Sequence, residues 1–499
     1  MPQYSWTQAP GSVDLNSLFK HDIRLSFLAG SGISFDYPSC QPTGNQFTKE
    51  LVTYLIPSEK RQLIKSLTDS EAMDSLGGKF LRFEQFMQHL QKWDPDLQVL
   101  KGYATCKDPN ANHEVLSRFI LADHQVFTTN FDNLLEYGLV KVGVPRNKII
   151  PVIYKEDWHS DAMHDQYQIY KLHGSLLDFR DSSDSRSSVQ ATIQQIAHGK
   201  ESTLLLEDWK MKIFKSVLKS NDLVVVGYSG LDDFDILPTL QTIESKRRLI
   251  WIDHDNDLTL DNAKIDIITN DDQHQSIRRI DRYLLTLAER CRSPHQIVKI
   301  RINTAQFLAW LCERLFSQPN CLKEIRNKCP KFALKLPENL DLSEGQKWYL
   351  TGDIFSSFDE TESISAFKVA IDHAKNEDSR QLEVESLTYL GRQYDTILDK
   401  TSTLSDEYET NWNLALKYYN EAFEISKSLS TTQDRKNDSQ ALSNIGYLYL
   451  NKTDYNKALK YFHQSLEICE KIEDREGKAQ NYNNISVAKY NLGLLDEAI

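Results

Sequence analysis

From about residue 22 to 300 the chain repeats one pattern. A short apolar run is followed by small or polar punctuation, then by a stretch with apolar positions at helical spacing. The runs are Ile23–Leu28, Gln125–Thr128, Ile149–Tyr154, Ile169–Leu172, Leu223–Val226 and Leu249–Ile252. They are rich in Val, Ile and Phe and bounded by Gly, Asn and Asp, which reads as buried strands closed by turns. Strand, crossover helix and strand in alternation predict an α/β fold, a doubly wound, Rossmann-like, mostly parallel sheet. From about residue 57 to 121 the pattern is helical throughout. There Phe80, Phe83, Phe86, Met87 and Leu90 form one apolar face, so a helical insertion is expected beside the sheet, covering its cleft. The run Asp181–Ser188 has nothing apolar to bury and is expected as an exposed loop.

Strand signals vanish after residue 300. Ala305–Phe316 has the pattern of an amphipathic helix, and Pro319, Pro330 and Pro337 punctuate what reads as a helical linker over 301–340. From 341 to 499 the chain repeats itself. Ala415, Tyr418, Tyr419 and Phe423 align with Ala458, Tyr461, Phe462 and Leu466, while Leu387, Leu390, Gly391 and Tyr394 echo Leu442, Ile445, Gly446 and Tyr449. Ile485, Leu495 and Ala498 continue the series, and a fainter copy begins near Trp348-Tyr349-Leu350-Thr351-Gly352. Small residues at helix crossings with aromatics at fixed offsets resemble the tetratricopeptide repeat, in a long-helix form with a period of about 40 residues. An all-α solenoid is therefore expected; the other reading is an unrelated helical bundle. A solenoid ends in a polar cap, whereas this chain stops at Leu495-Asp-Glu-Ala-Ile499, so a truncated array is expected.

Composition changes this picture little. With 499 residues, two or three domains are expected. A net charge of −13 argues against a nucleic-acid partner, since such binding needs a basic surface. Met1–Pro10 has no basic segment leading into an apolar one, and the apolar runs are far short of the roughly 20 residues that span a bilayer. A cytoplasmic protein without a membrane partner is expected. No two of the seven cysteines are spaced C-x-x-C, so no metal is expected, and scattered cysteines in such a chain read as small buried residues.

Candidate chemistry sits at the ends of four of the runs. Ala29, Gly30, Gly32 and Ser34 follow the first; glycines there let the backbone approach a pyrophosphate, with Ser34 bonding it, although a plain strand–helix turn explains them as well. Asn130 and Asp132 follow the second. Asn130 offers a donor and an acceptor, or else caps the next helix. His173 ends another run, where parallel sheets place their sites, and its ordinary pKa near 6.5 suits a general base; alone it would equally be structural. Gly227 and Ser229 follow Leu223–Val226, and Asp253 follows the last run, where an acid could bond ribose hydroxyls.

Taken in order, Gly30-Ser31-Gly32-Ile33-Ser34, Thr128-Thr129-Asn130-Phe131-Asp132, His173-Gly174 and Val225-Val226-Gly227-Tyr228-Ser229 resemble the sirtuin motifs. The family's second glycine-loop residue, an alanine, is Ser31 here. Gln41-Pro42-Thr43-Gly44 stands where deacylating sirtuins carry Gly-Ile-Pro-Asp-Phe-Arg, and their four-cysteine zinc module is missing. The continuation Gly230-Leu231-Asp232-Asp233-Phe234-Asp235 resembles the bacterial stand-alone branch; Asp232 and Asp235 there read as holding the loop, the other reading being ligand contact. The resemblance is to the defence-associated sirtuins, NADases of bacterial anti-phage systems. It implies cleavage of NAD+ to nicotinamide and ADP-ribose, with Asn130 and His173 catalytic. It also implies cofactor contacts from Ala29, Gly30, Gly32, Ser34, Asp132, Gly227, Ser229 and Asp253. A repeat tail that senses a phage or host protein, and a homo-oligomer, are further implications. The alternatives are a protein deacylase or ADP-ribosyltransferase, and a non-catalytic sensor of NAD or ADP-ribose.

Overall fold

A computed structural model describes residues 5–8, 14–20, 23–68, 80–158, 166–193, 195, 205–230, 235–242, 247–269, 279–291, 297–316, 329–330, 332, 334–403, 405–429 and 431–494. The chain forms two compact units: Met1–Leu51 with Ser66–Glu338, and Val52–Lys65 with Asn339–Ile499.

The first unit is built on a nine-stranded sheet in the order β1-β8-β9-β7-β6-β2-β3-β5-β4. The strands are β1 Ser5–Gln8, β2 Leu25–Ala29, β3 Gln125–Thr128, β4 Ile149–Val152, β5 Tyr167–Lys171, β6 Asp222–Val226, β7 Leu249–His254, β8 Lys264–Thr269 and β9 Ile297–Ile302. The six runs read from the sequence are β2 to β7, and all pair in parallel. β9 extends this set beside β7, whereas β8 pairs antiparallel with both β9 and β1. These three strands escape a search for apolar runs because charge interrupts two of them. Lys299 in β9 is buried and pairs with Asp281 at 3.0 Å and with Asp266 of β8 at 3.5 Å.

The central strands bury both faces, so adjacent residues serve opposite layers. Phe27, Val126, Ile169 and Val224 pack on one side with Phe119 and Leu139; Leu28, Phe127, Leu172 and Val225 pack on the other with Phe214 and Leu284. The helix Thr304–Phe316, read from the sequence as part of a linker, buries Phe307, Leu308, Leu311 and Cys312 in the first layer. Its apolar stripe is wide enough to need a partner, and the sheet supplies it. Among the described residues no helix is long and apolar enough to cross a membrane.

Three further expectations need correction. The stretch from 57 to 121 is helical over Ser58–Leu67, Phe83–Leu90, Lys101–Thr105 and Ala111–Leu121, but the last of these packs on the sheet itself and 52–65 belongs to the second unit. Asp181–Ser188 is exposed at residues 181–184 and at Ser187, but not throughout. Ser185 is buried, its amide bonding Leu176 O at 3.1 Å and its hydroxyl Ser175 O at 2.9 Å. Hydroxyl hydrogen bonds, not apolar burial, secure that end of the loop. Finally, Cys40 and Cys329, 289 positions apart, form a disulfide. Cys312 and Cys469 are buried and Cys106 half-buried, while the side chains of Cys291 and Cys321 lie outside the described residues. Sequence spacing cannot reveal a pairing that only tertiary proximity creates.

The second unit is a run of antiparallel helices: Glu344–Phe355, Glu360–Asn376, Arg380–Leu398, Asp406–Lys427, Thr432–Asn451, Tyr455–Lys471 and Arg475–Asn491. Each of three pairs closes on the same contact, a glycine of the first helix under an aromatic ring of the second. The pairs are Gly352 with Phe367, Gly391 with Tyr419 and Gly446 with Phe462. Stacked tyrosines recur beside them, Tyr394 on Tyr418 at 5.7 Å and Tyr449 on Tyr461 at 5.6 Å. This is the packing that the aligned small and aromatic positions predict. Lys60, in the segment the unit draws from early in the chain, pairs with Glu362 at 2.5 Å.

A Cβ at Gly446 would lie 2.6 Å from the Phe462 ring. Gly446→Ala is therefore expected to destabilise the repeat unit by about 1–3 kcal/mol, read as a lower denaturation midpoint for its transition. An unchanged midpoint would show that the ring is free to withdraw.

Candidate functional site

Ala29, Thr128, Lys171 and Val226, the last residues of β2, β3, β5 and β6, lie in one row across four adjacent strands. Strand order reverses between β2 and β6, and in open α/β sheets the crevice beyond the carboxyl ends at such a reversal is where ligands bind. All four sequence motifs emerge from that row.

The glycines let two loops meet backbone to backbone. Gly30 N donates to Val226 O at 3.0 Å and Gly32 N to Gly227 O at 2.8 Å. A Cβ on Gly30 would sit 2.6 Å from Gly227 O, one on Gly32 2.9 Å from Gly227 Cα, and one on Gly227 2.5 Å from Ile33 N. Gly227 also has a φ of +60°, which favours glycine. The two loops thus interlock backbone to backbone, and the groups left facing the crevice are Ser31, Ser34, Tyr228 and Ser229.

The segment after β3 is held from three sides. Thr128 Oγ1 donates to Ala29 O at 3.0 Å and accepts the Asn130 amide at 3.1 Å, so Ala29 contributes its carbonyl to the frame. Asp132 Oδ1 accepts Leu134 N at 3.0 Å; Asp132, not Asn130, makes the turn-closing bond at the start of the helix Leu134–Lys141. Lys171, 1% exposed, reaches from the end of β5 to Asp132 O and lies 3.3 Å from the fully buried Glu136. Burial pushes the Asp132 and Glu136 carboxyls upward, and the Lys171 charge opposes it in both. The Asn130 amide nitrogen donates to Ser34 Oγ at 3.2 Å, and Ser34 Oγ to Asp132 Oδ2 at 3.4 Å.

His173 lies beyond β5, followed by Gly174 at φ +81°, where a Cβ would collide with Ser188 O at 2.1 Å. Its Nε2 lies 2.9 Å from Oδ1 of Asp235, a fully buried residue. A carboxylate only accepts, so it holds the ring with the proton on Nε2 and leaves Nδ1 as the basic nitrogen. The sequence placed Asp235 in a loop-holding role; its partner is the histidine. Asp232 lies outside the described residues.

These elements line one open cleft. Of the residues singled out from the sequence, Ser34, Asn130, Asp132, His173 and Ser229 line it. Ala29, Gly30, Gly32 and Gly227 are not among the lining residues; they belong to the backbone frame that carries Ser34 and Ser229. Asp253, half-buried in β7, is not among the lining residues. The opposite wall comes from the loop 41–44 and the helical stretch beyond it: Gln41, Pro42, Phe83, Glu84 and Tyr103, joined by Phe131. None of the described lining residues is Lys or Arg, so a phosphate would be held by hydroxyls and backbone amides. Asn130 Oδ1, Gln41 Oε1 and Tyr228 Oη are buried with no hydrogen-bond partner, acceptors and a hydroxyl ready for a polar ligand. Among the described residues no cluster of His, Cys, Asp and Glu could hold a metal ion. Sequence reading missed Glu84, Tyr103 and His113, which lie on helices whose apolar pattern outweighs one polar position.

Two family models match the chain, a SIR2-like domain over residues 124–277 and a tetratricopeptide repeat over 438–499. Among solved structures, the apo form of RapI aligns at 16% identity over 33% of this chain and 41% of its own, with a TM-score of 0.26. BtubC from P. vanneervenii aligns at 14% identity over 39% of this chain and 67% of its own, also at 0.26. No curated protein matches the sequence.

The buried Lys171–Glu136 pair yields a prediction. Lys171→Met strands the Glu136 carboxylate and is expected to cost the first unit about 3–5 kcal/mol, while adding Glu136→Leu recovers most of it. Equal unfolding midpoints for the single and double variants would contradict this account.

Proposed function

We propose that the first unit, which carries the SIR2-like match over residues 124–277 in a chain with a tetratricopeptide match over 438–499, hydrolyses NAD+ to nicotinamide and ADP-ribose. The observation that carries this reading is the convergence of Asn130 and His173 on one cleft, over the interlocked glycine loops. The hydroxyls of Ser31, Ser34 and Ser229 are suited to the pyrophosphate and ribose. Asp132 and Glu84, with the rings of Phe83, Tyr103 and Phe131, make an acidic, aromatic wall that favours the cationic nicotinamide ring.

The bond that breaks joins the nicotinamide nitrogen to the ribose. It leaves with its electron pair as neutral nicotinamide, and the ribose passes through an oxocarbenium-like cation. The Asn130 carbonyl oxygen, buried and otherwise unbonded on a residue that lines the cleft, supplies a fixed negative dipole that stabilises that charge or aims the incoming water. His173, oriented by Asp235, accepts the proton given up by a ribose hydroxyl or by the water. One water is consumed and one proton released. Water as acceptor fits a sequence with no C-x-x-C pair for the zinc module of the deacylating sirtuins.

In this reading the repeat unit recognises a phage or host protein, and NAD+ depletion halts the infected cell. Loss of phage protection in cells carrying His173→Ala tests the cellular role.

Purified protein is expected to convert NAD+ to equimolar nicotinamide and ADP-ribose, resolved chromatographically. His173→Ala and Asn130→Ala abolish turnover, and Asp235→Asn lowers it by about 10²-fold, the range of a disabled general base. Full activity in His173→Ala would overturn the mechanism, and transfer of ADP-ribose or an acyl group to or from a protein would replace hydrolysis with the transferase or deacylase reading.

A further inference from the structure

A histidine that no motif singles out lies beneath the cleft. His113 is fully buried on the helix Ala111–Leu121, and burial pushes its imidazole down to about 3, so the ring is neutral across the physiological range. Its Nδ1 accepts the backbone amide of Asn110 at 3.2 Å. A backbone N–H can only donate, so Nδ1 carries no proton and Nε2 must carry it. Nε2 lies 3.0 Å from Ser34 Oγ, which therefore accepts.

The rest of the network follows from that one fixed proton. The Ser34 hydroxyl has a single hydrogen, which goes to Asp132 Oδ2 at 3.4 Å. Its remaining acceptor capacity meets the Asn130 amide nitrogen at 3.2 Å. With the nitrogen turned toward Ser34, the Asn130 oxygen is the end left over, buried without a partner in the cleft wall. Asn and Gln amides have two orientations of nearly equal shape, and only their hydrogen-bond partners choose between them. Asn110 is itself anchored, its side chain donating to Ile33 O at 2.8 Å and accepting His113 N at 3.3 Å, so the source of the chain of bonds is tied to the glycine loop.

We propose that His113 is a positioning residue that, through Ser34, fixes which end of the Asn130 amide faces the substrate. This deepens the hydrolase reading and rests on it for its kinetic consequence: an Asn130 that presents its NH₂ instead would place a positive dipole against a developing cation.

The test compares wild type with His113→Leu, which fills the volume without a donor, and His113→Gln, which restores an N–H toward Ser34. With the fold intact by thermal midpoint, His113→Leu is expected to lose at least about tenfold in kcat while KM for NAD+ stays within about threefold, the pattern of an interaction used only in the transition state. His113→Gln is expected to recover kcat to within about threefold of wild type. A His113→Leu enzyme with wild-type kcat, or a Gln variant as impaired as the Leu variant, overturns the proposal. Should wild type itself fail to turn over NAD+, the hydrolase reading falls and the positioning role is judged separately on ¹⁵N spectra of the wild-type protein. The same spectra decide if His113→Leu does not fold. Protonation of His113 at Nε2, without titration between pH 5 and 9, supports the role; protonation at Nδ1 contradicts it.

Discussion

Everything at the crevice depends on the closeness with which two loops meet. The turns after β2 and β6 share hydrogen bonds from Gly30 N to Val226 O and from Gly32 N to Gly227 O. They approach so nearly that a Cβ on any of the three glycines would overlap backbone of the other loop. The interlock closes the gap at the strand-order reversal and leaves only hydroxyl-bearing side chains facing outward. It also fixes Ser34 and Ser229 relative to each other through one backbone contact instead of through flexible side chains.

Around that contact the fold buries polar groups whose desolvation is costly unless each finds a partner. It meets the demand with internal bonds that also set geometry. Lys171 holds the Asn130–Glu136 segment by its carbonyl and its carboxylate. Asp235 fixes the His173 ring, and His113 feeds a single defined proton into the Ser34–Asn130–Asp132 network. Asn130 Oδ1 and Gln41 Oε1, on residues that line the cleft, are left without a hydrogen-bond partner. A site arranged this way needs little reorganisation as charge develops in a substrate, the property that makes fixed dipoles effective.

The sequence was most informative where one physical rule dominated. Apolar runs with turn punctuation marked β2 to β7, and their common end row gave the site its place. The glycine–aromatic periodicity marked the repeat helices, since Gly391 and Gly446 can only be small where Tyr419 and Phe462 press on them. What escaped was tertiary in origin. β8 and β9 interrupt their apolar residues with charges that become ion pairs only when Lys299 meets Asp266 and Asp281. That the glycines of the first loop make room for a second loop is likewise a tertiary relation. His113 and Asp235 matter because of partners 79 and 62 positions away, a relation that no local pattern encodes.

The central claim is that the cleft over the four strand ends holds NAD+ with its reactive ribose between Asn130 and position 173. A crystal structure of His173→Ala soaked with NAD+ tests it directly. The account predicts an intact dinucleotide with its pyrophosphate against Ser31, Ser34 and Ser229 and its nicotinamide ribose within hydrogen-bond reach of Asn130 Oδ1. A dinucleotide bound elsewhere on the protein, or an empty cleft at saturating NAD+, would contradict it.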